Sequence, residues 1–217
     1  LLGHVFRNYI GGQLDGNTSL CLATSVVAHK QSLGFDAPPY TLNDLELSDT
    51  IVFIGANPIV AHPIIWDRVR KNKNKKVITI DVRKSETALN SDYFYCVKPK
   101  TDLTLIYTIS NYLIEKNWID EIYINNYTEQ FQEFKKHVSK FSINNVEKET
   151  GISKEQVIEL ATLIHEGKKV SFWWTMGVNQ SYQAVRTAQG IINLALMTGN
   201  IGKEGTGANS ITGQCNA

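Results

Sequence analysis

Four short apolar segments, each followed at once by glycine or polar residues, constrain the fold of this chain most strongly. We predict strands at residues 50–54, 77–80, 93–97 and 170–175. The first is a continuous apolar run, which is typical of a strand buried on both faces of a parallel sheet. Helical segments between these strands fit the right-handed crossovers that parallel strands require. The sequence therefore predicts an α/β fold with a parallel, Rossmann-like sheet and helices on both faces.

Helix signals place the remaining elements. We predict a helix that begins near residue 17 and ends near Gly34, another over residues 59–72, and a third from Asp102 onward. Shorter helices fill residues 118–149. Ser153 and Gln156 form the pattern of a capping box and begin the last helix before the fourth strand. The glycine-rich residues 1–16 are predicted to be a loop, and Cys96 is predicted to lie in the core.

Glycines and polar side chains stand at the predicted carboxyl ends of all four strands. In an open parallel sheet, ligands bind beyond these ends. Gly55 permits a tight turn, and the helix behind it would direct free amide groups at a pyrophosphate. Asp81 can accept hydrogen bonds from ribose hydroxyls, and Asp102 can accept them from the N1 and N2 donors of a guanine. For any one strand end alone, a plain turn is the better interpretation. The four ends together, in this order, indicate a nucleotide-binding edge. The ends are Gly55-Ala56-Asn57-Pro58, Asp81-Val82-Arg83, Lys98 to Asp102, and Met176 to Gln180.

The composition excludes several classes of function. The chain has 217 residues, of which 42% are hydrophobic and 20% are charged, and its net charge is +1. These values are ordinary for a globular protein and provide no field that would attract nucleic acid or anionic lipid. The sequence has no apolar run long enough to span a bilayer and no secretory signal. Its three cysteines form no C-x-x-C pair, so we expect neither a disulfide framework nor an iron–sulfur cluster within this chain. We expect a cytoplasmic protein with no nucleic-acid or membrane partner.

Three motifs near the C-terminus resemble those of a known enzyme family. They are W-x-M-G-x-N-Q from Trp174, T-G-N-I-G from Thr198 and S-I-T-G-Q-x-N-A from Ser210. The motifs resemble the molybdopterin oxidoreductases that carry a molybdenum bis-molybdopterin guanine dinucleotide cofactor. Among these, they look most like the catalytic subunit of prokaryotic assimilatory nitrate reductase. The resemblance runs from about residue 17 onward and corresponds to a middle section of such a subunit.

The resemblance implies a set of residues that contact the two dinucleotide arms of the cofactor. Two strand ends depart from the pattern common in the family: D-V-R at residues 81–83 stands where D-P-R is frequent, and K-T-D at residues 100–102 stands where G-T-D is frequent. Both keep the charged or polar residue and lose one that shapes the backbone. The implied contacts are Asn17, Gly55, Asn57, Pro58, Asp81, Val82, Arg83, Lys100, Thr101, Asp102, Met176, Gly177 and Gln180.

Cys21 is the candidate metal ligand and catalytic residue. It lies in the first turn of the helix predicted to begin after Asn17-Thr18-Ser19, where free amides and the helix dipole favour a thiolate. A soft metal requires that thiolate. For an average cysteine, burial as a small apolar side chain is the better interpretation. The resemblance implies, however, that the residue in L-C-L-A-T-S is the protein ligand to molybdenum.

Two nearby positions bear on the substrate. Formate dehydrogenases of this superfamily place a histidine directly after the ligand, whereas Leu22 can do no acid–base work. Periplasmic nitrate reductases tend to carry an arginine at the position of Gln183. The glutamine in this sequence looks more like the assimilatory form. The resemblance therefore implies reduction of nitrate to nitrite by oxygen-atom transfer. Two alternatives stay open: a formate dehydrogenase or other oxyanion reductase of the same superfamily, and a non-catalytic scaffold or electron-transfer subunit with the same fold.

We expect this chain to be part of a longer enzyme and inactive alone. Residues 1–34 would hold a leading loop and the metal-ligand helix, residues 35–167 a first dinucleotide-binding α/β unit, and residues 168–217 the start of a second unit. The resemblance implies an iron–sulfur cluster elsewhere in the full-length enzyme. The electron donor stays open among a ferredoxin, a flavodoxin and an NADH-linked reductase.

Overall fold

The computed structural model describes residues 2–14, 16, 18–37 and 39–212. The strands are β1 (Thr50–Ile54), β2 (Lys76–Asp81), β3 (Tyr93–Cys96), β4 (Val170–Trp174) and β5 (Gly207–Ser210). The helices are α1 (Leu2–Tyr9), α2 (Thr18–Cys21), α3 (Ala23–Leu33), α4 (Asp44–Leu47), α5 (Pro58–Ala61), α6 (Pro63–Lys71), α7 (Glu86–Leu89), α8 (Asp102–Glu115), α9 (Glu121–Tyr127), α10 (Phe131–Val138), α11 (Val146–Thr150), α12 (Lys154–Glu166), α13 (Met176–Asn179) and α14 (Ala184–Met197).

The strands are all parallel and lie in the order β3-β2-β1-β4-β5. The chain leaves β1 through β2 to β3, then returns to the other side of β1 with β4. This reversal places a switch point between β1 and β4, where ligands bind in sheets of this kind. The predicted fold class is confirmed. The unit boundaries at residues 34/35 and 167/168 stay a prediction, and β4 and β5 continue the same sheet as β1 to β3.

Successive side chains of the central strands point to opposite faces of the sheet. Phe53 and Trp173 lie in a smaller apolar cluster on one face. Ile54 and Trp174 lie in the larger cluster on the other, which includes residues of α8, α12 and α14. Every residue of β1 and β4 is buried, which explains their continuous apolar character. Among the described residues, no helix combines the length and apolar character needed to cross a membrane.

Strands β1 to β4 agree with the sequence prediction to within one residue at each end. The capping box is present, since Ser153 and Gln156 exchange side-chain and backbone hydrogen bonds at the start of α12. Gly34 adopts the left-handed conformation and ends α3 after Leu33. These local signals were sufficient because each rests on a hydrogen bond or a backbone angle within a few residues.

Several predictions from the sequence are wrong. Residues Leu2–Tyr9 form a helix rather than a loop. The helix predicted over residues 59–72 is two helices, because a residue that precedes proline, here His62 before Pro63, avoids the helical conformation. The glycine-rich segment near the C-terminus contains β5, which we did not predict. Cys96 is exposed rather than part of the core.

The loops behind β1 and β4 touch through two glycines. The Gly177 amide donates to the Gly55 carbonyl oxygen at 3.1 Å, and the Thr175 hydroxyl donates to the same oxygen at 2.9 Å. A Cβ atom added to Gly177 would lie 2.6 Å from the Gly55 Cα atom, and one added to Gly55 would lie 2.9 Å from the Gly177 Cα atom. Gly55 also has φ 55°, which L side chains rarely adopt. Neither position can therefore carry a side chain without separating the two loops.

We expect Gly177→Ala to destabilise β1 and β4 by about 1–3 kcal/mol, the usual cost of overpacking. Gly55→Ala should cost more, because it adds a left-handed backbone penalty of about 1–2 kcal/mol. Gly34→Ala is the matched control, since Gly34 has φ 85° but no atom lies within 4 Å of an added Cβ. Native-state hydrogen exchange of the β1 and β4 amides in the full-length protein measures the local free energy of opening. Equal losses for Gly34→Ala and Gly55→Ala would contradict the contact.

Candidate functional site

Asp81 and Asp102 bring two carboxylates to the carboxyl edge of β2 and β3. Asp81 is the last residue of β2, and Asp102, 8% exposed, begins α8 just beyond β3. Burial raises the pKa of Asp102, and the negative charge of Asp81 raises it further. Burial also raises the pKa of Asp81, against the hydrogen bonds that it accepts. Two acids disfavoured in their charged form at one edge suit a ligand that donates hydrogen bonds to them.

The Asp81 side chain shapes its own loop. One carboxylate oxygen accepts from the backbone amides of Val82 and Arg83 at 2.7 and 3.4 Å. Val82 and Arg83 are exposed, and the Arg83 guanidinium lies 4.0 Å from the Glu86 carboxylate. The turn is therefore formed without the proline that is frequent in the family, because the Asp81 carboxylate supplies the hydrogen bonds.

Asn57 joins the loop behind β1 to the loop behind β2. Its amide oxygen accepts from the Thr87 amide at 3.2 Å and the Thr87 hydroxyl at 2.8 Å. Its amide nitrogen donates to the Glu86 carboxylate at 2.7 Å. Pro58, which is buried, begins the four-residue helix α5 next to it. The side chain implied to face a dinucleotide thus holds α7 in place.

Lys100 adopts a backbone conformation that favours glycine. Its φ is 71°, in the left-handed region. The Thr101 hydroxyl closes the same turn by donating to the Lys98 carbonyl oxygen at 2.7 Å. Lys100 therefore places an exposed ammonium group at this turn, at a strain of about 1–2 kcal/mol.

A cleft of about 570 Å³ opens beside Lys100, between α8, α10 and the start of α14. Tyr107 forms one wall, with its ring 5.2 Å from that of His137 and 5.0 Å from that of Phe141. Burial raises the pKa of Tyr107, and the nearby charge of Arg186 lowers it in part. The cleft therefore combines aromatic faces with cationic side chains. Its lining residues are Lys100, Leu103, Thr104, Tyr107, His137, Phe141, Tyr182, Gln183, Arg186 and Gln189.

Cys21 lies on the other side of the switch point, beside the tips of β4 and β5. It is the last residue of α2, and its half-buried Sγ atom lies 4.0 Å from the Thr212 carbonyl oxygen. The prediction of one continuous helix with Cys21 in its first turn is wrong, because the helix is interrupted at Leu22 and Cys21 is the last residue of the four-residue α2. Leu22 itself is 2% exposed and packs in the interior. Asn17 lies outside the described residues.

The segment behind β4 contacts the Cys21 helix directly. Asn179 donates from its side-chain amide to the Cys21 carbonyl oxygen at 3.0 Å, and Gln180 donates likewise to the Leu20 carbonyl oxygen at 2.6 Å. Met176, half-buried, begins α13, which also contains Gly177. Among the described residues, no three histidine, cysteine or acidic side chains are grouped so that they could hold a metal ion.

The structure thus gathers the predicted residues into two neighbouring groups. Gly55, Gly177 and the Cys21 helix meet at the switch point, while Asp81 and Asp102 stand farther along the edge. Sequence reasoning missed Arg186 and the aromatic wall of the cleft. A signal for Arg186 was present, since Gln183, Arg186 and Gln189 recur every three residues at the start of α14.

Residues 8–217 match the sequence profile of the molybdopterin oxidoreductase family. The chain belongs to that family. The predicted resemblance is thereby confirmed, and membership implies an enzyme class that uses a molybdenum–pterin cofactor.

Molybdopterin oxidoreductases of two activities are similar to this chain. The nitrate reductase of Synechocystis sp. is 37% identical over 98% of the chain, and the assimilatory nitrate reductase of Haloferax mediterranei is 36% identical over 100%. The F420-dependent formate dehydrogenase subunit alpha of Methanocaldococcus jannaschii is 37% identical over 94%. The chain spans 30% of the length of each of these relatives.

A solved structure shares the fold. Acetylene hydratase from Pelobacter acetylenicus superposes with a TM-score of 0.76 over 88% of this chain and 26% of that one, at 19% sequence identity. At this identity the likeness bears on the fold alone.

The pH dependence of stability tests the burial of Asp102. Because its pKa is raised in the folded protein, ionisation destabilises the fold as the pH rises through the ordinary aspartate range. We therefore expect Asp102→Asn to gain stability relative to the wild type between acidic and neutral pH. Thermal unfolding of the cofactor-free, full-length protein at both pH values measures the difference.

Glu86→Gln provides a control of opposite sign. A hydrogen bond from the Glu86 backbone amide, and then one from Asn57, lower the pKa of Glu86. The charged Glu86 carboxylate therefore stabilises the fold at neutral pH, and this stabilisation is lost on acidification. Because Glu86→Gln lacks it, the variant should lose stability relative to the wild type as the pH rises. If both variants gained stability, or both lost it, relative to the wild type as the pH rises, the opposite pKa shifts of Asp102 and Glu86 would be contradicted.

Proposed function

We propose that this chain is part of the catalytic subunit of a molybdenum nitrate reductase and binds a bis-molybdopterin guanine dinucleotide cofactor. The observation that carries the proposal is the place of Cys21. Its thiol stands at the carboxyl edge of the sheet, next to the tips of β4 and β5, where a family member would hold the metal.

The residues present fit the cofactor. The Gly55–Gly177 contact joins the loops behind β1 and β4 at the switch point, where ligands bind in sheets of this kind. Asp81 and Asp102 supply acceptors for ribose hydroxyls and for a guanine edge, and burial raises the pKa of both acids. The ammonium of Lys100 beside Thr101 suits a phosphate. These observations support the arms lying along the edge from Gly55 to Asp102.

Cys21 would hold molybdenum as a thiolate, and the bound group would supply the redox chemistry by which nitrate loses one oxygen atom. The contribution of this chain is to bind and orient. Asp81, Thr101 and Asp102 would hold the arms, and the amides of Asn179 and Gln180 hold the Cys21 helix.

Nitrate is the substrate that we infer, with formate as the main alternative. Leu22 is buried and apolar, so the residue after the ligand offers no base to remove a proton. The cleft with Lys100 and Arg186 provides positive charge, although Gln183 replaces the arginine of periplasmic forms. Another oxyanion reductase is compatible with the same side chains. A cofactor-free scaffold is disfavoured by Asp81 and Asp102, because burial at the edge raises the pKa of both acids.

An iron–sulfur cluster elsewhere in the full-length enzyme would deliver electrons to this site. A ferredoxin, a flavodoxin or an NADH-linked reductase would reduce that cluster in the cytoplasm. These assignments are supported by the resemblance of the motifs and extend to parts of the protein beyond this chain.

Replacement of the proposed ligand tests the role of Cys21. We expect Cys21→Ala in the full-length enzyme to abolish turnover, because the metal loses its protein ligand. Cys96→Ala is the control and should keep its molybdenum, since β3 lies at the opposite side of the sheet from β5 and the Cys21 thiol. Turnover and molybdenum content are measured on the same preparations. A Cys21→Ala enzyme that is active and holds molybdenum would contradict the role of Cys21 as the metal ligand.

A comparison of substrates separates the candidate activities. We expect the full-length enzyme to reduce nitrate with a chemical electron donor and to leave formate unoxidised, since Leu22 cannot act as a base. Formate oxidation without nitrate reduction would favour the alternative. Absence of molybdenum and pterin from the purified protein would favour the scaffold.

A further inference from the structure

The break in the helix next to Cys21 is capped by two side chains from the loop behind β4. The last carbonyl groups of a helix have no donor within the helix. Asn179 supplies a donor to the Cys21 carbonyl, and Gln180 supplies one to the Leu20 carbonyl. The end of α2 therefore depends on α13, which follows it by more than a hundred residues in sequence.

The side-chain oxygen of Asn179 is held by hydrogen bonds as well. Its oxygen accepts from the Ser25 hydroxyl at 2.7 Å and from the Trp174 indole N–H at 3.0 Å. The indole N–H can only donate and the Cys21 carbonyl can only accept, so these neighbours determine the orientation of the amide. Asn179 is 5% exposed. Its rotation would leave buried polar groups unpaired, which is costly.

Further contacts bind the same two elements together. The Thr24 hydroxyl donates to the Asn179 backbone carbonyl at 2.7 Å. The hydroxyl oxygens of Ser25 and Ser210 lie 2.7 Å apart, which joins α3 to β5. Of these contacts, only the Asn179 side-chain amide reaches the peptide group of Cys21.

We propose that Asn179 is the positioning residue for Cys21. It fixes the Cys21 peptide against the tip of β4, and so sets the direction in which the thiol faces the metal. Asn179 acts through Cys21 and does not itself touch the metal. The proposal rests on the proposed role of Cys21 as ligand, whereas the hydrogen bonds that carry it are properties of this chain. Gln180, implied to contact the cofactor, provides a second tie to the same helix.

Two substitutions separate positioning from packing. Asn179→Leu fills a similar volume but pairs with none of its three neighbours. Asn179→Asp keeps an oxygen for Ser25 and Trp174 and replaces the donor to Cys21 by a carboxylate oxygen that repels the Cys21 carbonyl oxygen. Thr24→Val is the matched control, because it removes a tie between the same elements that does not involve the Cys21 peptide.

The first measurement uses the cofactor-free, full-length protein. Alkylation by iodoacetamide, followed by mass spectrometry of the Cys21 and Cys96 peptides, reports how well each thiol is held. We expect both Asn179 variants to accelerate alkylation of Cys21 severalfold and to leave Cys96 unchanged, while Thr24→Val leaves both rates near those of the wild type. An unchanged Cys21 rate, or an equal rise for both cysteines, would overturn the proposal.

The second measurement uses the loaded enzyme. Loss of a residue that orients a metal ligand typically lowers activity about 10–100-fold. We expect such a loss in kcat for both Asn179 variants, with KM for nitrate little changed, molybdenum still bound and the Mo(V) electron paramagnetic resonance signal shifted. An unshifted signal with wild-type kcat would overturn the proposal. If the wild-type protein holds no molybdenum, the proposed function fails, and the alkylation rates still decide whether Asn179 positions Cys21.

Discussion

The contact between Gly55 and Gly177 is the constraint on which the rest of the site depends. It joins the loops behind β1 and β4 at the point where the order of strands reverses. Because the two backbones touch, α13 begins directly above the sheet and its end reaches the helix of Cys21. If side chains separated the loops, the amide of Asn179 would move away from that helix. One close approach of two backbones therefore determines where the thiol stands.

The central strands were predictable because burial on both faces leaves an apolar run that local sequence reveals. β5 was not, since Gly207, Asn209 and Ser210 have low strand propensity. That strand exists because it pairs with β4 through backbone hydrogen bonds that no residue pattern encodes. The break between α5 and α6 was predictable in principle from Pro63, whose effect on His62 we did not weigh. The exposure of Cys96 follows from its place at the end of β3, the outermost strand on its side of the described sheet.

The sequence indicated which residues gather at the sheet edge but not what each side chain binds. Asn57 and Gln180 were expected to face a ligand, and both are engaged in holding neighbouring segments of the chain. An amide has donors and acceptors for either task, so residue type alone could not distinguish them. Asp81 and Asp102 differ, because burial raises the pKa of both acids and the charge of Asp81 raises that of Asp102 further. Local conflict of this kind is expected where a residue serves function rather than stability.

The indole of Trp174 has a consequence for how this protein can be studied. It is fully buried and donates to both Asn179 and Ser25, at 3.0 and 3.2 Å. The emission wavelength of an indole depends on its hydrogen bonding and on the polarity around it. Trp174 is thus a natural fluorophore that is hydrogen-bonded to Asn179, which in turn contacts the Cys21 carbonyl oxygen. Changes in that segment on loading of the full-length protein should be visible in its intrinsic light emission, without any attached dye.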